Sequence, residues 1–106
     1  MKNQNGRFRK DAKDYGGKLR YDILKPEFME DIVKVLSYGH DKYGDYNWQK
    51  CKKTELFWYE GALFRHFQEY RKGNIIDEDS GFTHLSHAAT NLYFLDWYWR
   101  TKHWTV

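Results

Sequence analysis

The chain has 106 residues and a formal net charge of +3, which is enough for one domain with a modest core but too little for two. No apolar run approaches the roughly 20 residues that cross a bilayer, and the first residues lack the apolar core of a signal peptide, so we expect a cytoplasmic protein. A single cysteine, Cys51, excludes an intramolecular disulfide and a cysteine-based zinc site.

Aromatic residues make up 20% of the chain and carry large buried areas that the mean hydropathy of −0.97 undercounts. A folded domain is therefore expected after a polar start. Residues 1–15 are basic and nearly free of bulky side chains, which predicts a mobile N-terminal arm. Residues 16–106 would then form a single helical domain. The mild positive charge suits an anionic ligand without requiring nucleic acid.

Two cations lie in the segment that follows this arm. Gly16 and Gly17 permit backbone angles closed to other residues, and Lys18 and Arg20 would share one side of an extended chain. Such a pair could hold phosphate groups. Two solvated cations ahead of a helix fit the same spacing equally well, so the pattern leaves both interpretations open.

Pro26 suits the first turn of a helix, and the apolar side chains after it recur at helical spacing. We therefore predict a helix over residues 26–42. Residues 43–53 have no helical period and contain several aromatic rings, which predicts a loop whose rings either cover a base or close the core. Glu27 and Glu30 complement the positive helix N-terminus, although carboxylates one turn apart could also bind a metal ion.

A second helix is predicted over residues 54–72, with Thr54 as a candidate N-cap and Gly73 just past its end. The sequence has one proline and no alternating apolar pattern. These features indicate an all-α fold, a helical bundle of three main helices.

The third helix is predicted over residues 80–101, with Asp79 or Ser80 as its cap. Its apolar side chains form one stripe, which we expect to face the core: Leu85, Ala88, Ala89, Leu92, Leu95 and Trp99. Tyr93 and Trp97 fall off this stripe, which indicates a partner helix from another protomer, although isolated exposed aromatics are also common. Oligomerisation would then complete the bundle.

Polar side chains interrupt the two later helices at positions that could meet. At about 100° per residue, three of them on the last helix fall within roughly a 60° arc, one histidine lies on the interior stripe of the preceding helix, and the acidic turn adds two carboxylates. Together they could hold a divalent ion, phosphate oxygens or an attacking water. The alternative is a set of core imidazoles satisfied by backbone carbonyls. The side chains are His66, Asp77, Asp79, His84, His87 and Asn91.

Other catalytic motifs are missing or incomplete. The sequence has no GxxxxGK[ST] phosphate loop and no HExxH zinc motif. His40 and Asp41 form the HD pair of some metal phosphohydrolases, but those enzymes need an earlier histidine, and none precedes His40. Cys51 has no neighbouring sequence cue for a nucleophile. The histidine cluster is therefore the main candidate site.

Several segments, in order through residues 16–96, resemble one family. They are GGKLRYDIL at 16–24, Pro26 with Glu27, YGDYNW at 43–48, GALFRH at 61–66, Asp77 and DSGFTHLSHAATN at 79–91. They resemble the small, mostly viral dATP/dGTP diphosphohydrolases, which are grouped with the MazG-like all-α nucleotide pyrophosphohydrolases.

The resemblance implies a helical, oligomeric enzyme, a dimer or larger, that hydrolyses a purine deoxynucleoside triphosphate between its α and β phosphates. The products would be the monophosphate and pyrophosphate, and the cofactor would be Mg²⁺ or Mn²⁺. The partners would be the triphosphate substrate and further copies of the chain, with no membrane or nucleic-acid partner. A viral protein of this kind would act in the host cytoplasm.

Positions that match the family motifs receive roles through the same resemblance. The catalytic residues would be His66, Asp77, His84, His87 and Asn91. The substrate-binding residues would be Lys18, Arg20, Asn47, Trp48 and Arg65. The metal ligands would be Asp77, Asp79, His87 and Asn91. The wider MazG-like group binds metal through ExxE and ExxD, where this chain has His66 with Glu69 and His87 with Asn91, so Glu69 is a further candidate.

Two other functions fit the composition. A non-catalytic protein could bind nucleotide or single-stranded nucleic acid through the basic arm and the rings of Trp48, Tyr43 and Tyr46. A purely structural helical subunit would bind neither nucleotide nor metal, so neither would raise its melting temperature.

Overall fold

A computed structural model of the chain describes residues 17–102. In this part of the protein three α-helices follow one another: α1 (Pro26–Tyr43), α2 (Leu56–Arg71) and α3 (His84–Lys102). Short 3₁₀ turns cover Tyr21–Ile23, Asn47–Lys50 and Lys53–Glu55. The only β-type pairing within the described residues is one antiparallel bridge between Ile76 and Thr83. The prediction of an all-α fold is confirmed, and the predicted arm over residues 1–15 lies outside the described residues.

Helix α1 agrees with its prediction to within one residue. Pro26 occupies its first turn, where a missing N–H costs nothing, and Glu27 lies at the positive end of the helix dipole. The helix ends at Gly44, whose φ of 94° is open mainly to glycine and whose N–H donates to the His40 carbonyl at 2.8 Å. The chain then enters the aromatic loop, residues 44–55, which connects α1 to α2.

Helix α2 begins two residues later than predicted and ends one residue earlier, at Arg71. Thr54 lies inside the preceding 3₁₀ turn and is not the N-cap; the turn is closed instead by Glu55, whose Oε1 accepts from the Lys52 N–H at 3.0 Å. At the other end Gly73 has φ of 97° and donates to the Tyr70 carbonyl at 2.9 Å, while Asn74 donates to the Glu69 carbonyl at 2.9 Å. These paired bonds form a Schellman motif that terminates the helix.

The prediction that α3 starts at residue 80 is wrong, because residues 77–83 form a turn. The Asp77 N–H donates to the Phe82 carbonyl at 2.8 Å and the Gly81 N–H to the Asp77 carbonyl at 2.7 Å. Gly81 has φ of 82°, which a helix cannot contain. Thr83 is the actual cap, since its Oγ1 accepts from the Ser86 N–H at 3.0 Å.

The main packing interface joins α2 and α3, and α1 packs on α3 over a smaller area. The core cluster contains Cys51, Leu56 and Tyr98, with four partly buried side chains around it: Tyr59, Leu95, Trp97 and Trp99. The predicted apolar stripe of α3 is only partly correct. Leu92 is 56% exposed, whereas much of the buried face of α3 is polar: His84, Ser86, Thr90 and Asn91. Polar groups buried in this way need hydrogen-bond partners, which directs attention to this face.

The aromatic loop packs on residues 93–97 of α3. Trp48 lies with its ring stacked on Phe94 at 4.7 Å, and it also contacts Tyr93 at 5.3 Å and Trp97 at 5.0 Å. Tyr93 and Trp97 therefore find their aromatic partner within the same chain, and the inference of a partner helix from those two residues is not needed. Lys102 fixes the loop from the far end of α3, donating to the Gln49 and Cys51 carbonyls at 3.2 and 3.1 Å.

No helix in the described range is both long and apolar enough to cross a membrane.

Candidate active site

A crevice of about 1150 Å³ lies between α1, the aromatic loop, the α2–α3 turn and the facing sides of α2 and α3. Helix α1 forms one wall with Tyr38 and His40. The polar side chains of the opposite wall come from α2, the turn and α3: Arg65, His66, Glu69, Asp77, Glu78, Asp79, His84, His87 and Asn91. The structure therefore places the histidines that helical periodicity predicted to meet around one cavity.

His66 and His84 join α2 to α3 at the base of this cluster. Their Nδ1 atoms lie 2.8 Å apart, so one ring donates a proton to the other. Burial lowers the pKa of His66 to about 4, and the neighbouring His87 and His84 act in the same direction because two imidazolium ions would repel each other. His66 is therefore neutral near neutral pH, as an N–H···N bond between two imidazoles requires.

His87 stacks on the ring of His66. Its ring lies 4.5 Å from that of His66, with 12° between the planes. Burial lowers the pKa of His87 and outweighs the opposing attraction of the Asp77 carboxylate. The Nε2 atom of His87 lies 3.3 Å from Oδ2 of Asp77. The cluster thus holds two stacked, neutral imidazoles beside a carboxylate.

Asp77 is the carboxylate of the cluster, and its side chain is 18% exposed. Burial by itself would raise the pKa of Asp77, but the hydrogen bond from Ser80 and the neighbouring imidazoles lower it below its ordinary value. Asp77 is therefore ionised near neutral pH. It lies in the turn, whose backbone bonds to Phe82 and Gly81 fix it opposite α3.

Ser80 connects Asp77 to His87, a role that sequence reasoning missed. Its Oγ lies 2.8 Å from Oδ2 of Asp77 and 2.6 Å from Nε2 of His87. The sequence offered Ser80 only as a helix cap, because its actual position depends on the turn conformation that Gly81 allows. The one available signal is its place between an acidic residue three positions earlier and a histidine seven positions later.

Asn91, Asp79 and Glu69 line the crevice, and among the described contacts none of them forms a hydrogen bond with a side chain of the cluster. Asn91 is 9% exposed, and its Nδ2 donates to the His87 carbonyl one turn earlier at 2.8 Å. Asp79 is exposed at the turn. Glu69 accepts from Lys72 and Asn74 at 2.7 and 2.8 Å, so its carboxylate closes the C-terminal end of α2.

The described side chains as placed do not fit a metal ion held by the protein alone. Within residues 17–102, no three imidazole, thiol or carboxylate groups are arranged to bind one. Of the predicted ligands, Asp77 and His87 are adjacent, but both are bonded to Ser80. Asn91 donates its amide N–H to the His87 carbonyl, which leaves its Oδ1 as one available oxygen. Asp79 forms no close pair with Asp77 or His87 among the described contacts.

The predicted substrate-binding residues divide into two groups. Asn47, Trp48 and Arg65 line the crevice. Lys18 and Arg20 do not line it, and Arg20 is engaged by Asp22 through bonds of 2.8 and 2.7 Å. The basic pair therefore does not form a phosphate clamp in this conformation.

Trp48, which was predicted to bind the nucleotide, lines the crevice. Its ring is half-buried between aromatic neighbours and is not displayed as an open stacking surface, whereas Tyr43 and Tyr46 are 62% and 59% exposed. The indole Nε1 is buried and has no hydrogen-bond partner within the described part of the chain. An unpaired donor of this kind at the edge of a cavity is costly to bury, and a polar ligand atom could satisfy it.

Comparison with known proteins identifies the family of the chain. The sequence profile of a family described as "dATP/dGTP diphosphohydrolase, N-terminal" matches residues 9–105. A dATP/dGTP diphosphohydrolase from Salmonella phage PMBT28 is 38% identical over 81 residues, which cover 76% of this chain but only 27% of the phage protein. No solved structure matches the chain. The match along almost the whole sequence shows that the chain belongs to the dATP/dGTP diphosphohydrolase family.

Proposed function

We propose that the protein hydrolyses a purine deoxynucleoside triphosphate, dATP or dGTP, at the α–β anhydride to give the monophosphate and pyrophosphate. The observation that carries this proposal is the cluster of Asp77, His66, His84 and His87 in one crevice. The activity in the name of the phage relative supports it, although this chain spans only 27% of that protein.

The reaction needs a base for the attacking water and positive charge for the phosphates. His87 is neutral near neutral pH because burial lowers its pKa, so it can accept a proton from water. Arg65 lines the crevice next to His66 and would face the phosphate chain. Neither Lys18 nor Arg20 lines the crevice, so both would contribute only if their segment moves on substrate binding, and Arg20 must in addition leave its ion pair with Asp22.

We place the divalent ion, Mg²⁺ or Mn²⁺, with the substrate. A triphosphate binds such ions through its own oxygens, and the described side chains do not form a three-ligand site. Activity would therefore depend on the metal complex of the nucleotide.

We further propose that the protein works as a homo-oligomer. Large apolar side chains on α1 and α2 are exposed in the single chain, among them Met29 (52%), Val33 (53%), Phe57 (60%) and Phe64 (66%). Exposed apolar surface on this scale is typical of an interface. Light scattering after gel filtration tests this directly: a monomer at micromolar concentration would contradict it.

The activity is tested by incubating the purified chain with each dNTP and NTP in Mg²⁺ or Mn²⁺ and separating the products. We expect monophosphate and pyrophosphate from dATP or dGTP. The variant Asp77→Asn keeps the shape of the side chain and removes its charge, so it should lower kcat by about a hundredfold. Asp41→Asn, on the exposed surface of α1, is the matched control and should leave kcat unchanged. Absence of pyrophosphate with every nucleotide would refute the proposal.

A further inference from the structure

The hydroxyl of Ser80 has three neighbours that decide where protons lie in the cluster. Its Oγ lies 2.6 Å from Nε2 of His87 and 2.8 Å from Oδ2 of Asp77, and it accepts from the Phe82 N–H at 3.2 Å. A serine hydroxyl has one proton to donate and two lone pairs. The Phe82 N–H occupies one lone pair, so the other lone pair and the proton serve Asp77 and His87.

Only one assignment satisfies both neighbours. Asp77 is ionised, so it can only accept, and the Ser80 proton goes to its Oδ2. His87 must then donate its Nε2–H to the remaining lone pair of Ser80. The resulting chain runs from the His87 Nε2–H through the Ser80 hydroxyl to the Asp77 carboxylate.

The opposite assignment leaves acceptors facing one another. If the Ser80 proton pointed at an unprotonated Nε2 of His87, the Asp77 carboxylate would face the oxygen lone pairs of Ser80 at 2.8 Å. It would also face the Nε2 lone pair at 3.3 Å. Two such contacts in a partly buried site, with no proton between the atoms, are repulsive.

Resting on the proposed hydrolysis, we infer that Ser80 is a positioning residue that holds His87 in the tautomer protonated at Nε2, so that Nδ1 is the nitrogen that accepts a proton during the reaction. Within residues 17–102, no group forms a hydrogen bond with Nδ1 of His87. Nδ1 is thus available to a water in the crevice, whereas Nε2 is fixed by the turn.

The turn explains why Ser80 can hold this position. The Asp77 and Gly81 backbone bonds close the turn, and the bridge between Ile76 and Thr83 ties its two ends together. Ser80 is therefore carried by a hydrogen-bonded element and not by a free loop, so its hydroxyl is oriented before substrate arrives.

The direct test is ¹⁵N NMR of the histidine side chains in the intact protein, since imidazole nitrogens that carry a proton and those that do not have clearly different shifts. We expect protonated Nε2 and unprotonated Nδ1 for His87. In Ser80→Ala only the longer contact with Asp77, at 3.3 Å, still favours protonated Nε2, so the population of the second tautomer should rise. In Ser80→Thr, which keeps the hydroxyl, the original tautomer should persist. A wild-type His87 protonated at Nδ1 would overturn the inference without any variant being needed.

Kinetics provide the second readout. Ser80→Ala should lower kcat about tenfold or more with little change in KM, and Ser80→Thr should recover most of the loss. Ser37→Ala is the control, because Ser37 only bonds the Val33 carbonyl on α1. If Ser80→Ala changes neither the tautomer nor kcat, the inference is wrong. If the wild type hydrolyses no nucleotide but the tautomer still changes in Ser80→Ala, the assigned proton order stands and the proposed function fails.

Discussion

Nδ1 of His66 and Nδ1 of His84 lie 2.8 Å apart, so a single proton shared by two imidazoles joins α2 to α3. Protonation of the accepting Nδ1 would break the bond and place a positive charge in a partly buried space. This relationship makes the helix pair sensitive to acid.

The protein should lose stability as the pH falls from about 6.5 to about 4. The pKa of His66 is about 4 in the folded chain, whereas an exposed imidazole, as in the unfolded chain, has a pKa of 6.5. As the pH falls, the unfolded chain therefore takes up the proton first, and unfolding is favoured between these two pH values. Above pH 6.5 His66 is neutral in both states, so the folded protein should show no loss of stability from this residue. The measurement is the melting temperature as a function of pH. His66→Gln should flatten the dependence in part, because His87 is shifted in the same direction. An equally steep dependence in that variant would contradict the assignment.

Removing either partner of the histidine pair should destabilise the fold, and the two losses should not add. His84 is 7% exposed, so His84→Ala leaves a small cavity and an unpaired His66, at a cost of about 2–4 kcal/mol. His66→Ala removes the same bond from the other side. A double-mutant cycle measured by urea unfolding should give a coupling of about 1 kcal/mol or more. Simple additivity would mean that the bond contributes nothing.

Replacement by alanine should destabilise the protein at Thr83 and have almost no effect at Thr54. Thr83 caps α3 through the Ser86 N–H, so Thr83→Ala should cost about 1 kcal/mol of unfolding free energy. Thr54 is exposed and lies within a 3₁₀ turn that Glu55 closes, so Thr54→Ala should change stability by less than about 0.5 kcal/mol. Both are read from chemical denaturation under identical conditions. A larger loss for Thr54 would restore it as the cap of α2.

Replacing Gly73 and Gly61 by alanine should change stability in opposite directions. Gly73→Ala forces a side chain into φ of 97° and should destabilise the chain by about 1 kcal/mol. Gly61 lies within α2, and apart from its chain neighbours and the adjacent backbone of the helix no described heavy atom would lie within 4 Å of an added Cβ. Gly61→Ala should therefore stabilise the chain by about 0.5–1 kcal/mol. The comparison uses thermal unfolding at equal protein concentration. A loss of oligomer in Gly61→Ala alone would instead place that surface at an interface.

The backbone preferences of single residues were sufficient to predict where α1 begins and, to within one residue, where α2 ends. Pro26 marks the start of α1 and Gly73 the end of α2, because each residue has backbone requirements that its neighbours do not share. The start of α3 was mispredicted since Asp79, Ser80 and Thr83 are all good capping residues. The choice among them depends on the backbone bonds of the turn, which no single residue encodes.

The candidate site was predictable to the extent that it follows helical geometry. His66, His84 and His87 meet because each lies on the inner side of a helix and the helices are consecutive. Ser80 was missed because its role depends on the conformation of the turn. The placement of Arg20 beside Asp22 depends on a short non-helical segment, where periodicity gives no information about direction.

All the imidazole, hydroxyl and carboxylate groups of the cluster belong to one uninterrupted stretch of chain, residues 66–87, whereas α1 supplies the opposite wall. Substitutions in α1 can therefore reshape that wall while leaving the cluster intact. Among relatives, the side chains of the α1 wall should accordingly vary more than those of residues 66–87.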